Sequence, residues 1–266
     1  IVDEYVIGGQ PPPDNAELFA EYEPFAAAMG RALGELHSAL AMRSDDPAFA
    51  PEIADESDIE RWRAHAASEI DRAYAMLDTV APSTVTAMQT LVAKLREYRG
   101  ALVDRAQALR HSGETIKTRI HGDFHLGQIL VSSGDAIIVD FEGEPHAPLE
   151  KRRAKSSPLR DVAGLLRSLD YAVAFVGARD DTRLTAPMRE ARDRLLRKFL
   201  TASQRTFLDA YRASVGTAVD IGENLLQLFI IEKAAYELCY ELANRPDWAH
   251  VPLLGLLRSV EPNGGA

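Results

Sequence analysis

The sequence predicts an α+β fold, mostly helical, in which one small hairpin-like sheet carries the chemistry. Three observations support this. Long stretches repeat apolar residues at helical spacing. One region, residues 119–146, changes to short β-branched runs separated by glycine-containing loops. That same region is rich in acidic and imidazole side chains, among them His121, Asp123, His125, Asp140, Glu142, Glu144 and His146. Solvated charge does not need flanking runs such as Ile129-Leu130-Val131 and Ile137-Ile138-Val139, so a buried floor with a charged lip reads as an active site.

The elements follow in order. Leu18, Tyr22, Phe25, Met29, Leu33, Leu36 and Leu40 recur at steps of three and four, the mark of an amphipathic helix. Pro24 weakens that helix unless the helix starts there, with Pro in its first turn. "RSDDPAFAPEIADESD" reads as a loop rich in Pro and Asp, with Ser57 or Asp58 capping a helix that runs through Trp62 toward Leu77. "VAPST" breaks it, and a third helical pattern covers about 83–110. "TRIH", "QILVS" and "AIIVDF" then read as two or three short strands of one small sheet, with loops at Gly122–Gly127 and Ser132–Asp135. After the polar stretch "GEPHAPLEKRRAKSSP", helices are predicted over roughly 158–177, 187–214 and 220–244, with a short piece near 252–259.

The totals exclude several classes. The 266 residues suit one large domain or two small ones. Apolar residues make up 46% and charged ones 26%, as in ordinary globular chains. Thirty basic against forty acidic side chains leave a formal charge of −10, which argues against a nucleic-acid footprint. Cys239 is the only cysteine, so no internal disulfide forms and a reducing compartment fits. No apolar run reaches the roughly 18 residues of a membrane span, and no signal peptide opens the chain. No membrane partner and a cytoplasmic location are expected.

Within the charged lip the spacing is specific. Asp123 follows a strand in a Gly-flanked loop, Gln128 lies five residues on, and Asp140 ends the last strand just before Phe141. Phosphotransferases of the protein-kinase type space an Asp, an amide and an Asp-Phe in this way. The chemistry needs those residue types. A sugar hydroxyl is a poor nucleophile, so a carboxylate must orient it and accept its proton. Magnesium is a hard cation that takes oxygen ligands, which a carboxylate and an amide carbonyl supply.

The motifs "HGDFHLGQIL" and "DFEGEP" resemble those of bacterial maltokinases and the wider aminoglycoside-phosphotransferase-like kinases. The resemblance extends through "MGRALGELHSAL", "FAPE", "EKRRAKSSPLRDVAGLLRSLDYA" and "EKAAYELCYELANRPDWAHVPLLGLL", about residues 25–258. It implies the C-terminal lobe of a protein-kinase-like fold and an ATP- and Mg2+-dependent sugar kinase, with maltose converted to maltose 1-phosphate. Glucosamine or another amino sugar is the alternative acceptor. Asp123 would be the catalytic base and His121 would hold the loop backbone. Gln128 and Asp140 would be the metal ligands, Gln standing where most relatives have Asn. Glu142 and Glu144 follow the metal Asp on a loop that approaches substrate. His125 reads as a sugar contact, a salt-bridge partner or a loop residue. Arg160 and Asp161 are expected to brace the catalytic loop.

On the "EKAAYELCYELANRPDW" helix, Lys233, Glu237 and Glu241 form one stripe and Glu232, Tyr236 and Tyr240 the next. Aromatic faces beside carboxylates suit a carbohydrate, although a core helix with surface ion pairs has the same pattern. Family position singles out Glu237 and Trp248 as acceptor contacts. The first Lys of the chain is Lys94, inside a predicted helix, so no Lys precedes the first helix to hold nucleotide phosphates. The N-terminal lobe is therefore expected to be missing: residues 1–15, with Pro11-Pro12-Pro13, read as a hinge or linker remnant and 16–266 as the C-terminal lobe. A fused trehalose synthase is a possible upstream partner. Two other readings compete. His121, Asp123 and His125 alternate and on an extended strand could chelate the metal of a hydrolase. A non-catalytic kinase-like module would have no need to keep Asp123, Gln128 and Asp140 together.

Overall fold

The computed structural model describes residues 19–79, 86–110, 115–145, 147–179 and 182–261. The linker expected over 1–15 and the "VAPST" break lie outside those residues, as does His146. Helix α1 spans Glu23–Leu40 with Pro24 in its first turn, where a missing N–H costs no hydrogen bond. The helix thus begins next to Pro24, at Glu23. Its inner face carries Ala26, Met29, Leu33 and His37.

Helix α2 spans Glu56–Thr79. Its cap is Asp55, not Ser57 or Asp58: Asp55 Oδ1 accepts from the Asp58 N–H at 2.9 Å, and Asp58 Oδ2 accepts from the Asp55 N–H at 3.0 Å. The two carboxylates satisfy each other's backbone donors as a capping box does. The single helix expected over 83–110 is divided into α3 (Thr86–Glu97) and α4 (Arg99–Gln107). Tyr98, between them, has φ −93° and ψ 6°, and Gly100 in the next turn is a weak helix former.

The sheet prediction is corrected in one respect. Strand β1 (Glu52–Ile53) pairs antiparallel with β2 (Ile116–Lys117), and Thr118 bridges to Ser156. The "TRIH" segment (118–121) therefore forms no strand of the hairpin: β2 lies just before it, and its Thr118 pairs with Ser156 between α5 and α6. A two-residue strand carries no periodicity by which a sequence could reveal it. The hairpin is β3 (Ile129–Ser132) with β4 (Asp135–Ile138), in the register Ile129↔Ile138 to Ser132↔Asp135. Its turn residues Ser133 and Gly134 have φ of 53° and 87°, as a tight two-residue connection requires.

A short helix, α5 (Leu149–Arg153), occupies part of the expected polar loop. Then come α6 (Leu159–Gly177), α7 (Ala186–Val215), α8 (Glu223–Asn244) and α9 (His250–Arg258), close to their predicted positions. Helix α1 packs along α7 and supports β4, while α8 lies against α2, α4, α6 and α9. Phe207, Tyr211, Phe229, Ile231 and Leu238 are among the fully buried side chains that join these helices into one core. Burying each such side chain is worth roughly 1.5–3 kcal/mol. Among the described residues no helix is long and apolar enough to cross a membrane.

Candidate active site

Helix α6 acts as a template for the loop that carries Asp123. Asp161, Gly164 and Ser168 fall at i, i+3 and i+7, on one face of the helix. The buried Asp161 accepts the His121 N–H on Oδ2 at 2.8 Å and the Gly122 N–H on Oδ1 at 2.9 Å. At Gly164 the Phe124 carbonyl comes so close that an added Cβ would lie 2.5 Å from its oxygen. One turn later Ser168 Oγ accepts the Leu126 N–H at 3.0 Å. Residues 121–126 are thus held by their backbone; the His121 and Phe124 side chains are buried, while Asp123 and His125 are half-buried at the lip.

Asp161 is itself held from below. His37 Nε2 lies 3.1 Å from Asp161 Oδ2, and His37 Nδ1 lies 2.9 Å from the Tyr211 hydroxyl. Burial, then the charge of Asp161, pushes the Tyr211 hydroxyl up, so it keeps its proton. His37 Nε2 donates to the Asp161 carboxylate, which can only accept, and Nδ1 pairs with the Tyr211 hydroxyl. Two helices far apart in sequence, α1 and α7, thereby support the loop.

His121 ties the loop to the end of the hairpin. Its buried ring lies between Phe124 and Phe141, and Nε2 is 2.9 Å from the Val139 carbonyl, to which it donates. The next two residues, Gly122 and Asp123, carry the backbone to the lip. Gly122 has φ +83°, which ends any extended run. His121, Asp123 and His125 consequently do not share one strand face, and among the described residues no three His, Cys, Asp or Glu side chains gather as a metal cluster. The metal-dependent hydrolase reading lacks its geometry.

Gln128 and Asp140 meet. The 3-10 turn Leu126–Gln128 is capped by His125, whose Nδ1 accepts the Gly127 N–H at 3.0 Å. Gln128 Nε2 then lies 3.0 Å from Asp140 Oδ2 and 3.4 Å from His125 Nε2. The Val139 N–H donates to the Gln128 carbonyl at 3.0 Å, extending the hairpin ladder to the residue before Asp140. Asp140 itself has φ +66°, a left-handed conformation that a non-glycine residue adopts at a cost of order 1 kcal/mol and that is concentrated at functional sites.

The loop after Asp140 returns to the Asp123 loop: a Cβ added to Gly122 would lie 3.5 Å from Gly143 Cα. Glu142 is exposed, and its carbonyl accepts from Arg152 Nη1 at 3.2 Å. Glu144 is half-buried near Tyr236 of α8. Burial pushes the Tyr236 hydroxyl up, the carboxylates of Glu144, Glu69 and Asp123 reinforce the shift, and Arg72 opposes it. Tyr236 was not singled out from the sequence as a site residue. The signal was present in its i, i+4 stripe with Glu232 and Tyr240. Gly164 and Ser168 carried no such signal.

The remaining expected residues have other partners. Glu237 Oε2 receives Arg167 Nε at 2.8 Å and Nη2 at 2.7 Å, with Arg167 1% exposed and also paired with Asp170. Burial pushes the Glu237 carboxyl up and Arg167 opposes it. Trp248 stacks against Tyr171 and Phe175, and Tyr171 in turn lies under the Arg167 guanidinium at 5.9 Å. Arg160, expected beside Asp161 as a brace of the loop, donates through Nε to Ser156 Oγ at 2.9 Å, the residue that bridges to Thr118, and also reaches α8. It grips Glu232 through Nη1 at 2.5 Å and Nη2 at 3.2 Å, and its guanidinium sits over Phe229 at 4.3 Å. One residue of helix is a turn of about 100°, enough to send neighbours to different partners.

The chain is similar to known proteins. The phosphotransferase enzyme family (APH) matches residues 2–144. A glucosamine kinase from Streptacidiphilus jiangxiensis is 31% identical over 234 residues, covering 87% of this chain and 48% of the relative. One from Mycolicibacterium smegmatis (strain ATCC 700084 / mc(2)155) is 28% identical over 228 residues, covering 85% of this chain and 51% of the relative. The chain spans about half the length of the curated relatives it matches. Among solved structures, a glucosamine kinase in crystal form B superimposes with a TM-score of 0.74 at 27% identity, over 98% of this chain and 57% of the other. A glucosamine kinase in complex with glucosamine, ADP and inorganic phosphate gives 0.75 at 26% identity, over 98% of this chain and 56% of the other. The matched family segment takes in both the Asp123 loop and the Asp140 hairpin, more than half of the chain, and the chain belongs to the phosphotransferase enzyme family.

Proposed function

We propose that the polypeptide carrying this chain is an ATP-dependent amino-sugar kinase, with glucosamine as acceptor. The observation that carries this reading is the contact of Gln128 with Asp140 at the end of the hairpin, next to an Asp123 loop pinned to α6. In the proposed step the Asp123 carboxylate orients a sugar hydroxyl and takes its proton. The sugar oxygen bonds to the terminal phosphorus of the nucleotide as the bond from that phosphorus to the nucleoside diphosphate breaks. His121 and Asp161 fix the loop, so that little reorganisation is needed when the acceptor arrives.

The residues present fit magnesium. Asp140 offers a carboxylate and Gln128 an amide carbonyl oxygen, the amide touching Asp140 through its nitrogen, at an exposed position held by the hairpin and by a strained backbone. These two side chains would hold the ion, which when bound offsets the negative charge of the phosphates. His125 orients Gln128 from the other side.

For the acceptor, the half-buried Glu144 beside Tyr236 joins a carboxylate to an aromatic ring near Asp123, chemistry suited to a hydroxylated and cationic ligand. Glu237 and Trp248 act together with Arg167 and Tyr171, as one wall. The two relatives and two solved structures named above are all glucosamine kinases, which favours an amino sugar over maltose. The test is an acceptor screen with the complete polypeptide, ATP and Mg2+, following ADP release. Glucosamine should be turned over far better than maltose; turnover with maltose alone would overturn the assignment.

A further inference from the structure

Arg152 lies on α5, in a stretch whose basic residues the proposed reaction has not used. Its Nη1 donates to the Glu142 carbonyl at 3.2 Å. Its alkyl stem walls Gly143: a Cβ added there would meet Arg152 Cβ, Cγ and Cδ at 3.4, 3.5 and 3.7 Å. On the loop side stands Gly122, where an added Cβ would lie 3.5 Å from Gly143 Cα. Arg152, Gly143 and Gly122 thus form three successive layers, with Asp123 following the last and Asp140 three residues before Gly143.

The segment between Asp140 and Gly143 needs such a support. With φ of +66° and +72° at its two ends it cannot continue the β4 ladder. Arg152 Nε is buried and has no hydrogen-bond partner among the described residues. The contribution of Arg152 is therefore its bond to Glu142 and its packing on Gly143.

We propose that Arg152 is a positioning residue: it holds the loop after Asp140 against Gly122 and so sets where the Asp140 carboxylate stands relative to Asp123. This rests on the phosphotransferase reading of the Gln128–Asp140 corner. The test measures ADP binding by calorimetry at rising Mg2+, without acceptor, in the complete polypeptide. Arg152→Met keeps the stem and removes the donors, and Asp140→Asn serves as the reference. Arg152→Met should move the Mg2+ midpoint about tenfold upward, the order of one hydrogen bond from a charged donor. Arg152→Lys should recover part of that loss, and the melting temperatures should stay close to that of the unmodified protein.

A residue that only stabilises the fold would shift melting and leave the Mg2+ midpoint unchanged. If Asp140→Asn loses its Mg2+ dependence while Arg152→Met matches the unmodified protein, the positioning proposal alone is overturned. If Asp140→Asn also matches it, the reading of the corner falls. Should Arg152→Met fail to fold, Arg152→Gln, which still packs on Gly143 without a charged donor, is judged by the same criteria.

Discussion

His37 and Asp161 form a fully buried pair, Nε2 to Oδ2 at 3.1 Å, joining the first helix to the residue that holds the backbone of His121 and Gly122. The carboxylate is surrounded by donors, which is what makes its burial tolerable. Replacing Asp161 by Ala leaves two backbone N–H groups and an imidazole without an acceptor. The expected loss is about 3–5 kcal/mol in urea unfolding. Asp161→Asn, whose amide oxygen in the Oδ2 place can still accept from His121 and His37 but whose NH2 then faces the Gly122 N–H, should fall between Ala and the unmodified protein.

Gly164 and Ser168 face the same loop with different demands. Gly164→Ala puts a Cβ 2.5 Å from the Phe124 carbonyl oxygen, so either the loop or α6 must move. A cost of about 1–3 kcal/mol is expected from such overpacking. Ser168→Ala removes one hydrogen bond to Leu126, worth about 1 kcal/mol. Melting curves of the two variants should rank in that order.

Glu232 predicts a pH dependence. Arg160 and His65 outweigh the burial penalty and hold its carboxyl at about 2, below the ordinary 4.5. A depressed folded-state value stabilises the fold above pH 4.5 and is lost as pH falls toward 2. The contribution is about 3 kcal/mol at neutral pH. Urea titrations should therefore show Glu232→Gln less stable than the unmodified protein at pH 7, with the gap narrowing at pH 3.

The long helices α6, α7 and α8 were legible because each repeats its apolar residues over many turns. The Asp123, Gln128 and Asp140 spacing was legible because it is local, lying within one loop and one hairpin. What the sequence could not show depends on distant partners. Strand β1 is two residues long and is defined only by β2. Asp55 rather than Ser57 caps α2 because Asp58 reciprocates. Arg160 and Asp161 are neighbours in sequence, yet one reaches Glu232 and Ser156 and the other holds the backbone of His121 and Gly122. Nothing in the helix of Glu237 reveals its partner Arg167 on α6.

The most direct measurement is glucosamine-dependent ADP release by the complete polypeptide carrying Asp123→Asn, at saturating ATP and Mg2+. Removing the proton acceptor while keeping the shape of the side chain should lower kcat by about 10²–10⁴-fold, with the melting temperature little changed. A well-folded Asp123→Asn protein that turns over glucosamine at the unmodified rate would contradict the assignment of this loop as the phosphotransfer centre.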